Sequence, residues 1–136
     1  MSEDNLPSEV KKFIFEHLNS LQQLEILLLL YRSARKEGNV QGEWTADAVA
    51  RELRSNPNSV AVSLAELQSR GILSVRGEVV LLYRYDPRTL DLDNAIVGLE
   101  QAYEQYRVTV LNLVFGKPLD KIRTFADAFK IRKEKE

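Results

Sequence analysis

The stretch from Thr45 to Tyr85 constrains this chain more than any other. It reads Thr45-Ala-Asp-Ala-Val-Ala-Arg-Glu-Leu53, a short polar turn, Pro57 to Arg70, then Gly71-Ile72-Leu73 and a hairpin pattern. Ala46, Val49, Ala50 and Leu53 recur at i, i+3, i+4 and i+7, the spacing of one helical face. Thr45 is placed to cap that helix, and Asp47 falls in its first turn, where the helix dipole favours a negative charge. Asn56 followed by Pro57 is a second start signal, because proline at the first helical position gives up an N–H that has no partner there. Val60, Leu64 and Leu67 form the inward stripe of the second helix, and Gly71 ends it at a position that often needs positive φ. Ile72 to Val75, a turn at Arg76-Gly77 and Glu78 to Tyr85 then predict two antiparallel strands. Asp86-Pro87 closes the second strand.

Two short helices on a tight polar turn, followed by a β-ribbon, make a helix-turn-helix with a wing. The run Val60, Leu64, Leu67, Gly71, Ile72 resembles the Val-x-x-x-Leu-x-x-Leu-x-x-x-Gly-Leu/Ile pattern of bacterial winged-helix regulators of the MarR and ArsR type. The resemblance covers about 40 residues of the chain, including the alanine-bearing first helix. It implies a mainly α fold with a small β-hairpin wing, DNA binding and transcription regulation. The chain departs from the family at two places: Ala61 and Val62 stand where Ser or Thr and then a basic or large polar residue are usual.

At 136 residues the chain is long enough to bury a real core. We divide it into a winged domain with N-terminal helices, 1–90, and a C-terminal helical extension, 91–136. Apolar residues at 44% and charged residues at 29% describe an ordinary globular chain rather than a disordered one. No cysteine is present, which excludes disulfides, thiolate metal sites and cysteine nucleophiles. The N-terminus is acidic and polar, unlike a signal peptide, and the longest apolar run, Ile26 to Tyr31, is too short to span a bilayer. A cytoplasmic protein without a membrane partner is expected. Net charge is −1, so no bulk basic excess advertises nucleic acid. Residues 1–50 carry five basic and eight acidic side chains, 51–100 six and seven, 101–136 eight and five. The basic end is therefore the tail.

Outside the central stretch the pattern is helical. Ser8 starts a helix with Val10, Phe13, Ile14 and Leu18 on one face, and Ser20 caps a second from Leu21 to about Lys36. Leu24 and Ile26 to Tyr31 make this second helix apolar on nearly all sides, so it must be covered on nearly all sides. The N-terminal helix, the C-terminal helices or a second subunit would supply that cover. Residues 37–42 read as a loop, and Glu43-Trp44 as a short first strand with Trp44 anchored in the core. Asp91 or Asp93 caps a long helix to about Phe115, with Ile96, Leu99, Tyr103, Tyr106, Val110, Leu113 and Val114 as its stripe. Gly116-Lys117-Pro118 breaks it, and a last helix carries Leu119, Ile122, Phe125, Ala126 and Phe129. The surplus apolar helix surface at 8–36 and 93–130 points to a homodimer.

No catalytic constellation, phosphate-cradling loop or metal-ligand spacing is visible, and no enzyme activity or cofactor is expected. His17, the single histidine, has no positioned nucleophile beside it and reads as a boundary residue. Asp91 and Asp93 read as capping residues rather than metal ligands. In a helix-turn-helix the second helix enters the major groove and its N-terminal residues meet base edges. With Val60, Leu64 and Leu67 inward, 100° per residue turns Asn58, Val62, Ala65 and Ser69 outward. The predicted recognition residues are Asn58, Ser59, Val62 and Ser63: amides read adenine, hydroxyls bond phosphate or base, and valine meets a thymine methyl. Arg76 at the wing tip, with Arg51, Arg54, Arg70 and Arg84, is predicted to meet the minor groove and phosphates of double-stranded DNA. Ala61, Val62 and Ala65 on the same helix also suit the alternative, a winged module that binds a protein partner and no DNA. A third reading places a small aromatic effector near Trp44, Tyr103 and Tyr106, where core packing also accounts for the residues.

Overall fold

In the computed structural model, which describes residues 6–36 and 42–116, the second helix is the axis of the core. The elements are α1 (Ser8–His17), α2 (Leu21–Arg35), α3 (Ala46–Leu53), α4 (Pro57–Ser69), β1 (Leu73–Arg76), β2 (Leu82–Tyr85) and α5 (Leu90–Gln105). A further helix, α6, runs over 107–116 to the edge of the described residues. The chain is mainly helical with a small antiparallel hairpin, a winged helix-turn-helix.

Leu24, Ile26, Leu27 and Leu30 of α2 are fully buried within a single chain. α3, α4 and β2 pack on α2, and α5 is tied to it by Arg32–Glu100 at 2.9 Å and Arg35–Asp93 at 3.8 Å. The cover that the sequence demands for this helix is thus met by its own chain. Each buried leucine contributes about 1.5–3 kcal/mol relative to exposure, so this helix is the largest apolar investment in the fold. α1 in turn packs against α5, with Val10, Phe13 and Ile14 inward as expected. Gly98 sets the closeness of that pair: a Cβ there would lie 2.9 Å from Val10 Cγ2.

The caps follow local chemistry. Ser20 Oγ accepts from Gln23 N at 3.2 Å, Thr45 Oγ1 from Ala48 N at 3.0 Å, and Asn56 Oδ1 from Asn58 N at 2.7 Å. α5 corrects the expectation of an aspartate cap. Thr89 caps it, accepting from Leu92 N at 3.1 Å, while Asp91 and Asp93 sit in the first turn, where they complement the dipole. The long helix to Phe115 is also divided. Tyr106 leaves helical geometry (φ −131°, ψ 52°), and its carbonyl accepts from Val110 N to start α6. The last helix expected at 119–129, and the basic tail, lie outside the described residues.

The wing is shorter than its hydrophobic alternation suggests. β1 pairs with β2 from Leu73↔Tyr85 to Arg76↔Leu82, leaving residues 77–81 as a loop rather than the start of a strand. Gly77 (φ 109°) is needed there, since a Cβ would collide with the Val80 carbonyl oxygen. Trp44 adds the short first strand as one bridge to Tyr83, with reciprocal N–H to carbonyl bonds of 2.8 Å. Gly71 (φ 82°) terminates α4 in the left-handed region, the expected ending.

Candidate nucleic-acid interface

α4 presents two faces with different tasks. Val60, Leu64 and Leu67 are fully buried, while Asn58, Val62, Ala65 and Ser69 are exposed, Val62 at 59%. The first turn of α4 is held by Asn56, whose Oδ1 also accepts from Ser59 N at 3.2 Å. Ser59 Oγ donates back to Asn56 O at 3.0 Å. The rest of the helix is fixed from α2: Gln22 Nε2 donates to Ser59 Oγ at 3.0 Å, and Ser63 Oγ donates to Gln22 Oε1 at 2.8 Å. Gln23 Nε2 donates to Glu66 Oε1 one turn further on.

These contacts revise three of the predicted site residues. Ser63 is 6% exposed and turned toward α2, so it supports the helix instead of facing outward. Arg70 donates Nη1 to the His17 carbonyl at 2.7 Å and to Gln23 Oε1 at 3.1 Å, fastening the end of α4 to α1 and α2. Arg76 stands at the base of the hairpin loop, not at its tip. Its guanidinium donates Nε and Nη2 to the two carboxylate oxygens of Glu43, at 2.5 and 2.9 Å. Those hydrogen bonds, followed by the charges of Arg76 and Arg84, hold the Glu43 carboxyl below the usual carboxylate range. The same hydrogen bonds raise the Arg76 pKa.

Asn58, Ser59 and Val62 remain on the outward side of α4, with Arg51, Arg54 and Arg84 exposed. Beyond Gly77 and the exposed Glu78, the loop presents an apolar run: Val79 is 97% exposed, Val80 57% and Leu81 44%. The sequence reading missed the supporting residues. Gln22 and Gln23 were the available signal, being polar side chains at the start of an otherwise apolar helix. Tyr85, whose hydroxyl donates to Asp93 Oδ1 at 2.6 Å, ties the wing to α5, and burial first, then that bond, pushes its pKa up. Trp44 and Tyr103 are half-buried against the core, and Tyr103 carries Arg107 over its ring at 4.6 Å.

A groove of about 430 Å³ lies between α1 and α5, lined by Glu9, Lys12, Phe13, Glu16, His17 and Asp91 among others. Among the described residues no group of three or more His, Cys, Asp or Glu is arranged to hold a metal ion. Among them, too, no helix is long and apolar enough to cross a membrane.

No protein-family model matches the chain, and no curated protein matches it. One solved structure that it resembles is the Lactococcus lactis ZitR C30AH42A mutant in apo form, with 19% identity and a TM-score of 0.42. The likeness spans 82% of this chain and 80% of that one, and at this TM-score it carries no argument.

Proposed function

We propose that this chain is a dimeric winged-helix protein that binds double-stranded DNA and regulates transcription. The observation that carries the reading is the division of α4: three fully buried anchors on one side, and Asn58, Val62, Ala65 and Ser69 open on the other. A rod braced along its inner flank and bare along its outer one has the shape that a major groove accepts. Asn58 would read base edges, Ser59 and Val62 would flank it, and Arg51, Arg54 and Arg84 would neutralise phosphates. Arg76 would join them on leaving Glu43, whereas Ser63 and Arg70 would hold the helix in place. Phe15, Val108 and Phe115, each more than half exposed, supply apolar surface on α1 and α6 for a second copy. Such a pair would set two α4 helices about one helical turn of DNA apart, ~34 Å.

The test is a salt-titrated shift assay on mixed genomic duplex, run beside a sizing experiment. The wild-type chain is expected to bind as a dimer with an affinity that falls steeply with salt. Asn58→Ala should weaken binding to selected sequences while leaving the salt slope intact. A monomer with no salt-dependent retention of duplex would end the proposal.

The apolar tip at Val79, Val80 and Leu81 favours a second reading, a winged module that binds a protein. Together with Val62 it offers a partner more hydrocarbon than a phosphate backbone would require. Val62→Glu separates the two readings. It should abolish capture of a specific partner under the second, and tight duplex binding with no such partner would remove that alternative.

A further inference from the structure

We infer that Arg54 is the phosphate anchor of the helix-turn-helix, kept in a backbone conformation that works against the free fold. The inference rests on the DNA-binding reading above. Arg54 ends α3 with φ 56° and ψ 48°, in the left-handed region. Among the described residues every other positive-φ position is a glycine: Gly42, Gly71 and Gly77. The turn itself demands the conformation. Arg54 N donates to Arg51 O at 3.4 Å and Ser55 N donates to Ala50 O at 2.9 Å, closing α3 before Asn56 opens α4. A residue with a Cβ is strained there, and glycine would close the same turn without that strain.

An arginine at such a position calls for a side-chain contact that offsets the strain. Arg54 is exposed, and among the described residues its guanidinium makes no hydrogen bond and no ion pair. Arg51 and Arg84 are exposed too, but they keep ordinary backbone geometry, and other arginines are engaged within the fold. Arg32 binds Glu100, Arg70 binds the His17 carbonyl, and Arg76 binds Glu43. Strain retained without a compensating contact in the free protein points to a contact made in a complex. The position says which contact. Arg54 lies two residues before the cap of α4, in the turn that a docked helix-turn-helix sets against the strand bordering the groove. A planar guanidinium with unoccupied donors suits a phosphate diester, which it can meet with two parallel hydrogen bonds.

Opposite signs for stability and binding make the inference testable. Wild type, Arg54→Gly and Arg54→Lys are compared by thermal melting and by salt-titrated binding to fragmented mixed-sequence duplex DNA. Arg54→Gly is expected to melt roughly 2–5 °C higher, as release of one strained residue should in a domain this size. The same variant should bind duplex about tenfold more weakly at low salt, with a salt slope about one unit shallower. Arg54→Lys should recover most of the slope while melting no higher than wild type. If Arg54→Gly keeps the wild-type affinity and slope, or melts lower, the assignment of Arg54 is overturned and the DNA reading stands. If wild type itself shows no salt-dependent duplex binding, both are overturned together.

Discussion

The hydroxyl of Ser63 donates to Gln22 Oε1 at 2.8 Å, joining the middle of α4 to the start of α2. The other end of the same amide donates to Ser59 Oγ at 3.0 Å, so one side chain spans a full turn of the exposed helix. A helix that is open on one side needs such fastening on the other. Val60, Leu64 and Leu67 fix its depth through contacts that have no direction, whereas Gln22 fixes its rotation.

Gln22→Leu should therefore lower stability by about 1–2 kcal/mol, because it leaves the buried Ser63 hydroxyl without that acceptor. Adding Ser63→Ala to Gln22→Leu should then do little further harm. Urea melts of the two single variants and the double variant measure this coupling. Strictly additive losses would mean that the bond contributes nothing to holding α4.

The packing of α1 on α5 makes a second prediction. Val10 is fully buried, is stiff about its first torsion, and lies where a Cβ on Gly98 would come within 2.9 Å of it. Gly98→Leu should consequently cost about 2–3 kcal/mol through overpacking, despite the better helix propensity of leucine. Val10→Ala placed in the same chain should restore part of the loss by opening space. Calorimetric midpoints for the two variants decide it, and an unaltered midpoint for Gly98→Leu would show that the helices separate freely.

Elements governed by neighbouring residues were legible in the sequence, and those governed by distant ones were not. Thr45, Asn56-Pro57 and Gly71 announce the ends of α3 and α4 because capping is chemistry between residues three or four apart. Ser63 stands among the predicted recognition residues although it lies three after Val60, on the inward side. Its hydroxyl suggested DNA, and the acceptor that explains its burial is 41 positions away. The division at Tyr106 carries no glycine or proline to mark it, and Val79 to Leu81 form an apolar run that reads as strand but pairs with no strand among the described residues. Arg54 is a special case. The sequence marked it as a phosphate contact, but only the backbone shows that its position would suit glycine better.

The clamp between Glu43 and Arg76 gives the wing a pH dependence whose direction is fixed. Arg76 hydrogen bonds lower the Glu43 pKa in the folded chain, so the clamp is complete above the ordinary glutamate value, about 4.3. As pH falls through the lower folded value, Glu43 takes a proton and this contribution is lost. Glu43→Gln should thus melt below wild type near neutral pH, with a gap that narrows as the solution becomes acidic and closes at the lowest pH. Loss of the carboxylate also removes a negative charge beside Arg76 and Arg84 and loosens the hold on the Arg76 guanidinium. Under the DNA reading the same variant should bind duplex more tightly than wild type at neutral pH, by roughly three- to tenfold, with a steeper salt slope. Melting curves from pH 3 to 7 beside shift assays at two salt concentrations measure both effects. A melting gap that ignores pH would deny the clamp, and unchanged duplex affinity would show that Arg76 stays out of the interface even when freed.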